Sequence, residues 1–270
     1  MKIFVIPIII NIVFLSYIGS FDDCAEAKDI KMEQLRSDHF IINYDPQVDK
    51  NYISKIKNIA ERYYKVITQE FNLVRNRLWL WDNRAKIFIA KDKAAYLKEF
   101  DCHTWSAACV NYQDKIIYTY SGDARFVPIF IHELTHIIFR EYIGTGNFPL
   151  WLDEGVAVYM ENKYGGGNYK SKLRYLTRII DNGKYIKLSE LSGITADTLR
   201  IKPDDYVDLF YTESFSIVNF IIDKYGQHSF SNFMSFLKKG NSLDEALSRA
   251  IYDLRSLNEL ESQWQNFYQR

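Results

Sequence analysis

The sequence predicts an α+β fold: a small mixed sheet with helices, then a mainly helical C-terminal lobe. Three observations carry that prediction. Strand-like runs occur only before Gly122. Apolar residues at helical spacing dominate after Glu154. Between them, residues 127–139 form a strongly apolar helical segment that joins the two parts.

The elements follow in order. Residues 28–36 are polar and read as flexible. Phe40-Ile41-Ile42-Asn43-Tyr44 reads as a strand, stopped by Asp45-Pro46. Across 48–71 the apolar residues Ile53, Ile56, Ile59, Ala60, Tyr63, Tyr64 and Ile67 recur at helical spacing. Residues 86–90 form a second strand and 93–100 a short helix. Residues 108–111 and 115–120 form a hairpin around Gln113-Asp114. Its second strand is either a cleft wall that pairs with an extended peptide, or an ordinary buried strand. Gly165-Gly166-Gly167 is either a lid hinge or a plain connection. Residues 169–180 are helical, with Lys170, Lys172, Arg174 and Arg178 on a solvated face. Further helices are expected at about 213–225, 229–239, 243–252 and 256–268.

The apolar segment carries His132-Glu133-Leu134-Thr135-His136. Two His at i and i+4 share one face of a helix, so both imidazoles can reach one metal ion. Pro128 suits the first turn of that helix, where its missing N–H is no loss. Glu133 is not a ligand but can reach a water at the metal. Zinc lowers the pKa of a bound water to about 7, and a nearby carboxylate can take its proton. A Gly-rich turn, 143–149, leads to a second helix with Trp151-Leu152-Asp153-Glu154-Gly155. Glu154 supplies the oxygen of a two-His, one-carboxylate set. The fourth position stays open, which marks a catalytic rather than a structural zinc site. Gly155 and Ala157 are expected to let the second helix approach the first closely. Asp153 either orients a ligand or caps the helix.

These two motifs resemble the gluzincin metallopeptidases, which share the zinc site of thermolysin and the zinc aminopeptidases. They are most similar to the group called peptidase MA-like, in which a His-Glu-Leu-Thr-His helix is joined to Pro-x-Trp-Leu-x-Glu-Gly. Here that segment is Pro149-Leu150-Trp151-Leu152-Asp153-Glu154-Gly155. Downstream, Tyr211-Thr212-Glu213-Ser214-Phe215, Tyr225-Gly226, residues 240–247 and Trp264 extend the resemblance to most of the chain from about Asp38 onward. It implies a peptide or protein substrate, Zn2+ held by His132, His136 and Glu154, and Glu133 as general base. It also implies Tyr211, at the start of a helix, as the oxyanion donor; the alternative is a packed Tyr. Seventeen residues separate His136 from Glu154, slightly fewer than in the large gluzincin families. A metzincin would need Gly at 139 and His at 142, where this chain has Phe139 and Tyr142. The aminopeptidase Gly-Ala-Met-Glu-Asn segment has no counterpart between Phe100 and Pro128, an interval without Glu, so aminopeptidase specificity does not transfer. Two rival functions remain open: a non-catalytic exported binding protein on the same fold, and a zinc hydrolase of a non-peptide amide.

The N-terminus reads as a leader. Lys2 precedes an almost wholly apolar stretch, 3–18, and Ala25-Glu26-Ala27 is an Ala-x-Ala cleavage site, with Ser20 as the alternative. Residues 1–27 are therefore expected to be a signal peptide. The stretch is a little short for an uncleaved anchor, and Asp23 before Cys24 does not fit a lipoprotein signal. Residues 28–270 then form one peptidase domain, its sheet part at about 38–145 and its helical part at about 149–270. No second run is long enough to span a membrane, so the mature chain is expected to be secreted or periplasmic. The chain carries 34 basic and 34 acidic residues, which removes any electrostatic case for nucleic acid. Cleavage leaves Cys102 and Cys109, an even pair expected to be oxidised after export. His103 beside Cys102 reads as a loop residue rather than a second metal ligand.

Overall fold

The computed structural model describes residues 31–74, 78–100, 102, 108–144, 148–167 and 169–269. Among them, β1 (Glu33–Arg36), β2 (Phe40–Tyr44), β3 (Ala85–Ala90), β4 (Ala108–Asn111) and β5 (Ile116–Tyr120) form one sheet in the order β1-β2-β3-β5-β4. The three central strands are parallel and both edges are antiparallel. Parallel neighbours need a crossover, and α1 (Lys50–Glu70) carries β2 to β3. Its start is capped by Asp49, whose carboxylate accepts from the Asn51 N–H at 2.9 Å.

Strands buried on both faces read as unbroken apolar runs, which is why 40–42 and 87–89 do not alternate. Ile42, Ile87 and Ile117 stand in register across the sheet. They share a core with Ile53 and Ile56 of α1 and with Phe130 and Leu134 of α3 (Phe126–Ile143). A smaller core unites Tyr118 of the sheet with Tyr96 of α2 (Lys93–Glu99) and with Phe100.

The sheet corrects three expectations. Residues 33–36 are not flexible: Leu35 pairs with Ile42 and its side chain packs on the core. Only alternate residues of β1 are half-buried, so its polarity hid it. Lys115 lies in the hairpin turn with φ 56, so the following strand starts at Ile116. Most consequential is strand order. β5 is bonded on both sides, by β3 and β4, and cannot accept an added peptide strand. The edge is β4.

Helix α3 is buried around most of its circumference and ends at Gly144, where φ is 70 and the N–H bonds the Arg140 carbonyl at 2.9 Å. α4 (Leu150–Tyr164) crosses it. The close approach expected at Gly155 is not to α3. A Cβ there would lie 2.4 Å from the Ser214 carbonyl oxygen, in α8 (Asp204–Lys238). Near α3 the glycine that matters is Gly165, whose Cβ would lie 2.9 Å from the Pro128 Cα. Gly165 is therefore a packing residue at the end of α4.

The helical lobe contains α5 (Lys170–Asp181), α6 (Leu188–Leu191), α7 (Ala196–Arg200), α8, α9 (Leu243–Ala250) and α10 (Leu257–Tyr268). α8 is broken at Gly226, with φ 83 and ψ 160, which separates the two helices expected there. It starts much earlier than expected, with Pro203 at its N-cap and Asp204 and Asp205 in its first turn. Tyr211 is thus two turns inside a helix, not at its start. Cys102 and Cys109 are joined by a disulfide, with Cα atoms 6.1 Å apart. Among the described residues no helix is long and apolar enough to cross a membrane. The leader, residues 1–27, and His103 lie outside the described residues.

Candidate metal centre

One face of α3 presents His132, Glu133, His136 and Arg140, and the adjacent face of α4 presents Asp153, Glu154 and Glu161. The apolar surroundings bury both imidazoles, at 5% and 0% exposure, and the Glu154 carboxylate at 3%. His132 Nε2 and His136 Nε2 are 3.1 Å apart, and Glu154 Oε2 is 3.6 and 3.4 Å from them. Bonds of about 2.0–2.1 Å to a tetrahedral zinc separate neighbouring ligands by about 3.3 Å. The three atoms already stand at that spacing. Glu154 Oε2 is also buried without a hydrogen-bond partner. A buried carboxylate oxygen is strongly destabilising when unsatisfied, and a cation among these three atoms satisfies it. Among the described residues this is the group whose donor atoms could hold a metal. Two imidazoles and a carboxylate suit zinc.

The far nitrogens fix the rings. Glu161 Oε2 accepts from His132 Nδ1 at 2.8 Å, and Asp153 Oδ1 accepts from His136 Nδ1 at 2.7 Å. Each bond sets the tautomer and points Nε2 at the shared centre. Asp153 makes no capping bond, so of its two expected roles it orients a ligand. Its other oxygen takes Arg140, with Nε at 2.8 Å and a terminal nitrogen at 2.6 Å.

The electrostatics follow from this crowding. Burial opposes charge on His132, but Glu154 and Glu161 outweigh it and push its pKa up to about 10. His136 is raised too, against burial, by Asp153 and Glu154. Burial would raise Asp153, but Arg140 and His136 hold it down to about 2. Glu154 is likewise lowered by His136 and His132 despite burial. Both shifts favour protons on the imidazoles, so a metal ion at this centre competes with protons for them.

Glu133 is also nearly buried, at 5% exposure, and its Oε2 accepts from the Tyr112 hydroxyl at 3.2 Å. Tyr211 reaches the same place from α8. Its hydroxyl is held protonated, far above its ordinary range, by burial first and then by Glu154, Tyr112, Glu133 and Asp153.

A family model described as the Peptidase MA superfamily matches residues 109–270. This chain belongs to that superfamily. The match spans every residue of the centre just described and leaves β1, β2 and β3 outside it. Membership of the Peptidase MA superfamily places the chain in a zinc-metallopeptidase type of family. Among solved structures it is similar to native yeast leukotriene A4 hydrolase, at 13% identity and TM-score 0.49, over 87% of this chain and 38% of that one. The same yeast enzyme in complex with bestatin gives 15% identity and TM-score 0.47, over 82% and 36%. The chain thus spans well under half the length of those enzymes. No curated protein matches it.

In this Peptidase MA chain the structure brings His132, His136 and Glu154 together, sets Glu133 beside them and carries Tyr211 to the same cluster. Sequence reading missed Glu161, Arg140 and Tyr112. Glu161 lies two helical turns beyond Glu154 and Arg140 one turn beyond His136, so helical phase alone could have flagged both. Nothing local flags Tyr112.

Proposed function

We propose that the chain is a zinc-dependent peptidase that hydrolyses peptide bonds by general-base catalysis. The observation that carries this reading is the tetrahedral spacing of His132 Nε2, His136 Nε2 and Glu154 Oε2, with an intact Glu133 next to it. A zinc ion held by those three side chains supplies a Lewis acid for the scissile carbonyl and acidifies water. Glu133 takes the proton of the attacking water and returns it to the leaving amine nitrogen. Asp153 and Glu161 each accept the Nδ1–H of an imidazole and so leave Nε2 aimed at the metal. Arg140 keeps Asp153 ionised for that task. The edge strand β4, which runs directly into Tyr112, is the surface on which an extended peptide main chain can pair. Export belongs to the same proposal, supported by the Cys102–Cys109 disulfide, since such bonds persist in oxidising compartments.

Tyr211 is assigned as the donor to the oxyanion. Burial among carboxylates keeps its proton in place, as a donor requires. Tyr211→Phe removes the hydroxyl and keeps the ring. The expected result is a fall in kcat of roughly a hundredfold with KM and zinc content little changed. A lower melting temperature with normal kcat would make Tyr211 structural.

The test of the whole reading is digestion of a broad peptide library by residues 28–270. Cleavage should stop with a chelator and return with zinc. A zinc-loaded chain that cleaves no peptide would instead favour a binding role, and cleavage restricted to non-peptide amides would move the substrate class.

A further inference from the structure

We infer that Tyr112 is a positioning residue that orients the Glu133 carboxylate for proton transfer. The inference rests on the peptidase reading and adds a residue to it.

Three contacts fix Tyr112. Its hydroxyl donates to Glu133 Oε2 at 3.2 Å. Its ring face receives the Arg140 guanidinium, 4.1 Å from the ring centre. Its ring also meets the His136 imidazole edge to face, with centroids 5.7 Å apart. Arg140 is itself anchored on Asp153, and Asp153 on His136. The contacts close a loop through Tyr112, Arg140, Asp153 and His136, and Glu133 is joined to it by the Tyr112 hydroxyl. The base and a metal ligand are therefore tied to one another through Tyr112, although they sit on the same helix and face different partners.

The tie matters because a carboxylate on a two-carbon stem can rotate. A hydrogen bond to one oxygen sets the plane of the group and hence the direction in which its proton-accepting lone pairs point. A misplacement of about 1 Å in a catalytic group can cost on the order of a hundredfold in rate. Tyr112 also follows directly on Asn111, the last residue of the edge strand. A peptide paired on β4 would then be held by the same segment that aims the base. Substrate main chain and general base share one support, which is how a site is held to the tolerance that catalysis needs.

Tyr112→Phe tests this with little disturbance, since the ring can keep its places on Arg140 and His136. On a peptide cleaved by the wild type, kcat is expected to fall by roughly 10- to 100-fold while KM stays within about twofold. Zinc content and melting temperature are expected to be unchanged. A second measurement places the same substitution in a Glu133→Gln background. A residue acting only through Glu133 adds nothing there, so the two losses should not multiply. Unchanged kcat in the single variant overturns the inference, as does an equal further loss in the double variant. A raised KM at normal kcat would make Tyr112 a substrate contact, and a raised kcat would make it an obstruction; both also overturn it. A zinc-loaded wild type that cleaves nothing removes the peptidase reading and this inference together. An active wild type indifferent to Tyr112→Phe removes this inference alone.

Discussion

Glu133→Gln is expected to keep its metal and lose hydrolysis by about 10²–10⁴-fold, the usual worth of general acid–base catalysis. Gln has the same size, and its amide oxygen can still accept from Tyr112. Neither ligand His loses its Nδ1 bond, because Nδ1 of His132 is held by Glu161 and Nδ1 of His136 by Asp153. Only the ability to take a proton is gone. The measurement is kcat and zinc content on one preparation. Equal activity in both proteins would remove Glu133 as the base, whereas lost zinc would mean that the carboxylate supports the metal instead.

The second large effect is expected from His136→Ala. The imidazole is fully buried between Asp153 and Glu154. Its removal deletes a metal ligand and leaves Glu154 facing His132 alone. Zinc occupancy should fall close to zero. Removing one partner from a buried charge cluster destabilises by about 3–5 kcal/mol, because the other charges stay buried. The melting temperature should therefore drop even in the presence of a chelator, where metal makes no contribution. Elemental analysis and thermal melts of both proteins, with and without chelator, check the two parts separately. Full zinc occupancy in the variant would break the ligand assignment.

The metal centre was legible because its geometry is local. The His132 and His136 spacing needs only helical periodicity, and Glu154 opens a helix marked by Pro149 and followed by Gly155. The same locality made α1, β2 and the β4–β5 hairpin readable. What failed was non-local. The partner of Gly155 is Ser214, far along the chain, so a small residue could be read as close approach but not as approach to what. Tyr112 gains its position from the sheet order, which places β4 outside β5 and beside α3; periodicity carries no information about that order. β1 was hidden because it is a short, half-exposed edge strand without a run of apolar residues. The start of α8 is a different case. Pro203 followed by Asp204 and Asp205 is a readable helix start. A resemblance that placed the start at Tyr211 displaced it. Buried in mid-helix, the Tyr211 hydroxyl still feels the charges of Glu154 and Glu133, and Tyr211→Phe is the test of its role.

The most direct test of the centre is zinc stoichiometry of the wild-type chain, residues 28–270, dialysed against zinc and then against metal-free buffer at a series of pH values. Ligation requires neutral imidazoles, while in the metal-free centre His132 is held protonated up to about pH 10. Zinc binding at neutral pH should therefore release protons, and affinity should weaken as pH falls. One tightly held zinc per chain at neutral pH, with proton release on loading and loss of metal on acidification, is the predicted result. A folded chain that retains no zinc at neutral pH would contradict the assignment of His132, His136 and Glu154 as its ligands.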